Sequence, residues 1–77
     1  MYNYPNIREI RKKHHLTQRE TAELIGILQQ QYSKYETGAQ EFPFHHMIEL
    51  AKLYNVSLDY LAGLTDEERP LYPEKTK

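Results

Sequence analysis

The chain contains no cysteine and no tryptophan, only three glycines and two phenylalanines, and no apolar run that approaches a membrane span. Without thiols, neither a disulfide framework nor a zinc site built on thiolates can form. The sequence shows no signal-peptide pattern, so a cytoplasmic location is expected. Seventy-seven residues leave room for one domain with a modest core. An excess of positive charge is also missing, since the formal net charge is −1. The distribution is more informative than the total. Residues 1–40 carry +2, through Arg8, Arg11, Lys12, Lys13, Arg19 and Lys34 against Glu9, Glu20, Glu23 and Glu36, whereas residues 41–77 carry −3. Such asymmetry hints that one end faces a polyanion.

What is present is a succession of helical signals with no sustained strand alternation, which predicts an all-α fold of short helices. Tyr4, Ile7, Ile10 and His14 recur at helical spacing among basic residues, so a first helix is expected from about Asn6 to His14. It ends in positive charge, as the helix dipole prefers. Thr17-Gln18-Arg19-Glu20 has the form of a capping box and opens a second helix. That helix buries Thr21, Ala22 and Ile25, and Gly26 ends it in the left-handed region.

The stretch LQQQYSKYETG, residues 28–38, follows after a very tight turn. At about 100° per residue, Gln29, Gln30, Ser33, Lys34 and Thr37 share a polar arc of about 140°. Tyr32 and Tyr35 lie on the opposite side with Glu36 beside them, and Gln31 falls at the flank of the arc. Gly38 closes the helix. Pro43 suits the first turn of a fourth helix, whose apolar stripe is predicted to comprise Phe44, Met47, Ile48, Ala51 and Tyr54. Ser57 is a good N-cap for a fifth helix that buries Leu58 and Leu61 before Gly63. Residues 1–64 thus form the expected domain. Residues 65–77, with two prolines and unpatterned charge, read as a tail that is flexible or makes a dimer contact.

A capped helix, a glycine turn and a second helix with one polar and one buried face describe a helix-turn-helix. Thr17-Gln18, Ala22, Gly26-Ile27, Ser33-Lys34-Tyr35-Glu36-Thr37-Gly38, Leu50-Ala51 and the run from Asn55 to Leu61 carry a resemblance to a known family. Residues 7–64 resemble the xenobiotic-response-element family, the Cro and phage-repressor type of helix-turn-helix protein. The resemblance implies a compact five-helix, lambda-repressor-like DNA-binding domain, usually a bacterial or phage transcriptional regulator. Its expected partner is a double-stranded operator, bound as an inverted repeat by a homodimer.

An α-helix fits the major groove, and in this motif the N-terminal residues of the second helix reach base edges. Gln29 and Gln30 stand there, and a glutamine amide pairs bidentately with adenine without carrying charge. Ser33 and Lys34, one turn on, are further base-reading candidates. The plainer reading of the glutamines is that they are good helix formers on an exposed face. By resemblance, Gln18 and its neighbour Thr17 match phosphate contacts, with Thr17 free to cap the helix as well. Thr37 and Gln40 match positions that often touch the next phosphates. Arg11 and Glu36 match the buried arginine–glutamate bridge of the family.

Two departures stand out. Leu28 occupies a position where serine or threonine commonly caps the recognition helix, and leucine cannot accept that hydrogen bond. The loop after Gly38 reads Ala39-Gln40-Glu41 and lacks basic residues, which predicts weaker, less salt-sensitive binding.

Other classes fit less well. Neither His14-His15 nor His45-His46 has the spacing that places two imidazoles on one helix face, so no metal, cofactor or enzymatic activity is expected. Tyr32, Tyr35 and Tyr54 fall at core spacing rather than as a stacking platform, while Tyr2, Tyr4, Tyr60 and Tyr72 stay open. The rival from a different class is a protein-interaction or antitoxin-like module that keeps the fold with weak DNA affinity. The slightly acidic chain favours it, and the polar arc with Lys34 opposes it, because interfaces need apolar anchors.

Overall fold

The computed structural model describes residues 2–71. Five helices follow in order: α1 Pro5–Lys13, α2 Gln18–Leu24, α3 Gln29–Thr37, α4 Phe44–Tyr54 and α5 Leu58–Ala62. The described residues contain no strand, and no helix among them is long and apolar enough to cross a membrane.

Each boundary has a local cause. Pro5 starts α1, where its missing N–H costs nothing, and Arg11, Lys12 and Lys13 occupy the last turn. The capping box of α2 is fully formed: Thr17 Oγ1 accepts from Glu20 N at 3.0 Å and Glu20 Oε1 accepts from Thr17 N at 2.8 Å. Gly26, at φ 77°, turns the chain out of α2, and only Ile27 and Leu28 precede α3. Leu28 is the N-cap of α3 and supplies no side-chain hydrogen bond. Ser57 Oγ accepts from Tyr60 N at 3.1 Å to start α5.

The core gathers the inner faces of all five helices, with Ile7, Ile10, Ala22, Tyr32, Leu50, Ala51, Leu61 and their neighbours nearly sealed from solvent. α2 packs on α3, α1 on α3 and α5, and α4 on α5. Thr21 is buried among them, and its hydroxyl pairs with that of Tyr54 at 3.2 Å, which meets the requirement that buried polar groups be bonded.

α4 differs from the predicted stripe. Pro43 is the N-cap rather than the first helical residue, and the buried residues are Met47, Leu50, Ala51 and Tyr54. Phe44 is 65% exposed. The place that helical spacing assigns to Phe44 is filled by Phe42, just before the helix, whose ring meets Tyr32 edge-on at 5.8 Å and Tyr35 at 5.2 Å. Ile48 is only half-buried. In α5, Tyr60 and Leu61 are buried whereas Leu58 is only partly so.

The segment after Gly63 folds back on the domain as far as it is described. Arg69 O accepts from Ser57 N at 2.9 Å, Asn6 Nδ2 donates to Tyr60 O at 2.9 Å and to Thr65 O at 3.2 Å, and Lys13 pairs with Glu68 at 2.8 Å. Leu71 packs partly against the core.

These burials generate a contrast within one helix. Leu50→Ala should cost about 2–5 kcal/mol because it opens a cavity in a sealed site, whereas Phe44→Ala should change stability by no more than about 0.5 kcal/mol. Urea unfolding followed by circular dichroism measures both, and similar losses from the two variants would contradict the packing described.

Candidate nucleic-acid interface

The interface begins with how α3 is held. Its back carries Tyr32, fully buried, and Tyr35, nearly so. One turn beyond Tyr32, the Glu36 side chain is completely sealed from solvent. Burying a lone carboxylate is costly unless it is paired and hydrogen-bonded. Glu36 is both. Its Oε2 accepts from Arg11 Nε at 2.8 Å and from the Tyr32 hydroxyl at 2.6 Å. Its Oε1 accepts from Arg11 Nη2 at 2.9 Å, from Gln18 Nε2 at 3.0 Å and, more weakly, from Arg8 Nε at 3.4 Å. Arg11 also donates through Nη1 to Leu16 O at 2.7 Å, tying down the connection between α1 and α2. No buried side-chain nitrogen or oxygen among the described residues is left without a partner.

The charge state follows from these contacts. Burial alone would push the Glu36 carboxyl up, but the hydrogen bonds from Arg11, Tyr32 and Gln18 and the Arg11 charge outweigh it and hold the group down to about 2. The bond to Glu36 in turn raises Arg11 above its ordinary value against the effect of burial. Burial first, and the neighbouring carboxylate second, push the Tyr32 hydroxyl well above the ordinary tyrosine range. Glu36 is therefore ionised, and Tyr32 and Arg11 protonated, throughout the physiological range.

With the back fixed, the front presents amides. Gln29, Gln30, Lys34 and Thr37 are exposed and Ser33 is half-buried. The adjacent Gln31 is drawn to the side, where its Nε2 donates to the Tyr35 hydroxyl at 2.9 Å. Gln29 and Gln30 are engaged by no other side chain among the described residues, so both edges of each amide can meet a ligand. The Thr37 hydroxyl donates to Lys34 O at 3.4 Å, and Gln40 N donates to the same carbonyl at 3.1 Å. At the start of α2, the Thr17 oxygen accepts from the Glu20 amide, which leaves its hydroxyl proton to donate outward. Gln18 lends one amide proton to Glu36 and keeps a second.

The structure thus gathers Gln18, Arg11 and Glu36 into one network and sets Gln29, Gln30, Ser33, Lys34 and Thr37 along one face of α3. Tyr32, Gln18 and Arg8 as donors to Glu36 were not apparent from the sequence pattern. The Tyr32–Glu36 spacing of four residues was an available signal, as was the position of Arg8 three residues before Arg11.

Residues 7–61 match the family model described as helix-turn-helix. The chain belongs to this family. Curated relatives of helix-turn-helix type include the uncharacterized HTH-type transcriptional regulator YobD of Bacillus subtilis (strain 168), 42% identical over 90% of this chain and 62% of the relative. The HTH-type transcriptional regulator ImmR of the same organism is 39% identical over 74% of this chain and 45% of its own length. The antitoxin PezA of Streptococcus pneumoniae serotype 4 (strain ATCC BAA-334 / TIGR4) is 34% identical over 88% of this chain and 41% of its own. The chain therefore spans less than two thirds of the length of each of these relatives. No solved structure gives a significant match.

The buried carboxylate makes helix-turn-helix stability depend on acid in a defined direction. Because the folded Glu36 lies at about 2 against an ordinary 4.5, its stabilisation is present above about pH 4.5 and is lost as pH falls toward about 2, a change of about 3 kcal/mol. Tyr32→Phe removes one donor and brings the folded carboxyl closer to its ordinary value, so the acid loss should be smaller and should end at higher pH, with its start near pH 4.5 unchanged. Urea titrations between about pH 5 and about pH 2 read this directly. Coincident profiles for the wild type and the variant would contradict the network.

Proposed function

We propose that this chain is a sequence-reading, double-stranded DNA-binding regulator that sets α3 in the major groove. The observation that carries the reading is the pair of exposed, unengaged amides, Gln29 and Gln30, on the first turn of a helix whose back is locked by Glu36. Each amide can donate to N7 and accept from the N6 amine of one adenine. Lys34 donates to guanine or to a phosphate, and Ser33 reaches either. Thr17, Gln18, Thr37 and Gln40 hold the DNA backbone and so set register without reading sequence. Family membership and the regulator relatives YobD and ImmR support this assignment.

A single helix-turn-helix buries too little surface for strong specificity. Two copies bind an inverted repeat with half-sites about one helical turn apart, near 34 Å. Leu64, 79% exposed just beyond the Gly63 cap of α5, is the candidate self-contact. Leu71 in the tail, a further candidate, is partly buried against its own core, and Tyr72, also a candidate, lies outside the described residues. Repression is the regulatory direction that the family resemblance favours, with action in the cytoplasm. The antitoxin relative PezA keeps a second reading in view, a protein-binding module with weak DNA affinity.

Selection of duplexes from a random pool, followed by anisotropy titration, separates these readings. The DNA-binding reading expects a recovered palindrome bound at least about a thousandfold tighter than a scrambled control. Gln29→Ala or Gln30→Ala should then cost about 1–3 kcal/mol on the palindrome and little on the control, while Gln18→Ala weakens both alike. Sedimentation of the saturated complex should show two copies per palindrome. No enrichment, or a strict monomer on the recovered site, would contradict the proposal.

A further inference from the structure

The loop after α3 supplies no cation, yet the structure holds one beside the phosphate-facing residues. Arg8 Nε lies 3.4 Å from Glu36 Oε1, the same oxygen that accepts Gln18 Nε2 at 3.0 Å. Arg8 and Gln18 therefore stand side by side around one acceptor. The single charge of Glu36 is already met by Arg11, which engages both carboxylate oxygens at 2.8 and 2.9 Å, so Arg8 is a surplus positive charge at this place. Its side chain is 46% exposed, against 10% for Arg11. A guanidinium carries five N–H donors, and no acceptor among the described residues takes those on the two terminal nitrogens of Arg8. Arg8 also lines, with Thr37, Asn3, Pro5, Glu9 and Glu36, an open cleft of about 260 Å³. One exposed cation thus adjoins both Gln18 and Thr37, which come from separate helices.

We propose that Arg8, Gln18 and Thr37 form a site for one phosphodiester of the DNA backbone, with Arg8 as its cation. The inference rests on the DNA-binding reading and deepens it. The forked guanidinium suits the two non-bridging oxygens of a phosphodiester, the second amide proton of Gln18 adds a neutral donor, and the Thr37 hydroxyl adds another by turning its proton away from the Lys34 carbonyl, 3.4 Å distant. Glu9 and Glu36 line the same cleft and oppose an anion, Glu36 being offset by Arg11, so Arg8 is the cation on which binding of the phosphate depends. The contact is sequence-independent and fixes the entry of α1 against the DNA.

The test uses the full chain and a labelled duplex of mixed sequence, with affinity measured across a salt series. Arg8→Gln should weaken binding about eightfold near 0.1 M salt relative to its effect near 1 M, and should reduce the slope of log affinity against log salt by about one. Arg8→Lys should retain most of the slope, and the urea midpoint of Arg8→Gln should match that of the wild type. A wild-type slope that Arg8→Gln leaves unchanged, or a loss of affinity that only follows a loss of stability, would overturn the Arg8 site while leaving DNA binding intact. A wild type without salt-dependent binding would instead remove the DNA-binding reading on which the site depends.

Discussion

The Glu36 carboxylate, sealed from solvent and met by five donors from three helices, is the constraint on which the rest of the structure turns. A buried charge cannot be left partly satisfied. Stranding it by removing its charged partner Arg11 costs about 3–5 kcal/mol, a large share of the stability of so small a domain. α3 is therefore confined to the orientation that keeps Glu36 beside Arg11 of α1 and Gln18 of α2, while the Tyr32 hydroxyl, from α3 itself, holds the Glu36 side chain. The same contacts run outward, since Gln18 and Arg8 reach solvent from this network. Stability and the orientation of the candidate interface thus share one set of bonds.

That arrangement bears on how a chain with a formal net charge of −1 would present the proposed reading face. Amides read bases by geometry rather than by charge, and a bidentate contact succeeds only if the helix that bears it is held in place. Gln29 and Gln30 are exposed and unengaged, while Gln31 beside them is held by Tyr35. Three identical side chains in a row therefore have two different environments. Positive charge enters sparingly, at Lys34 and at Arg8.

Much of this was legible in the sequence because it rests on local physics. The Thr17–Glu20 capping box, the glycines that end α2 and α3, and the Ser57 cap each act within a few residues, and the Tyr32 and Tyr35 spacing defines one buried face. What the pattern misplaced depends on contacts between elements. Phe42 displaces Phe44 from the core because the chain before α4 folds back onto Tyr32 and Tyr35, which helical periodicity cannot encode. Tyr60 is likewise buried more fully than Leu58, since α5 has only five residues and so short a stretch defines no apolar period. Residues 65–71 read as a tail because prolines and charges break the period, yet hydrogen bonds from Asn6 and Ser57, both far away or outside the segment, hold it. The convergence of Gln18 and Arg8 on Glu36 is likewise a meeting of three helices, invisible to any window along the chain.

On the proposed reading, DNA docks on the face bounded by Gln18, the first turn of α3 and Thr37. The most direct measurement is a heteronuclear NMR titration of the isotope-labelled chain with a duplex recovered by selection. The side-chain amides of Gln29, Gln30 and Gln18 and the backbone amides near Thr37 should shift together and saturate at the same duplex concentration, while amides of the α4 and α5 core stay in place. Shifts gathered instead around Phe44 or Leu64, with the α3 glutamines unmoved, would contradict it.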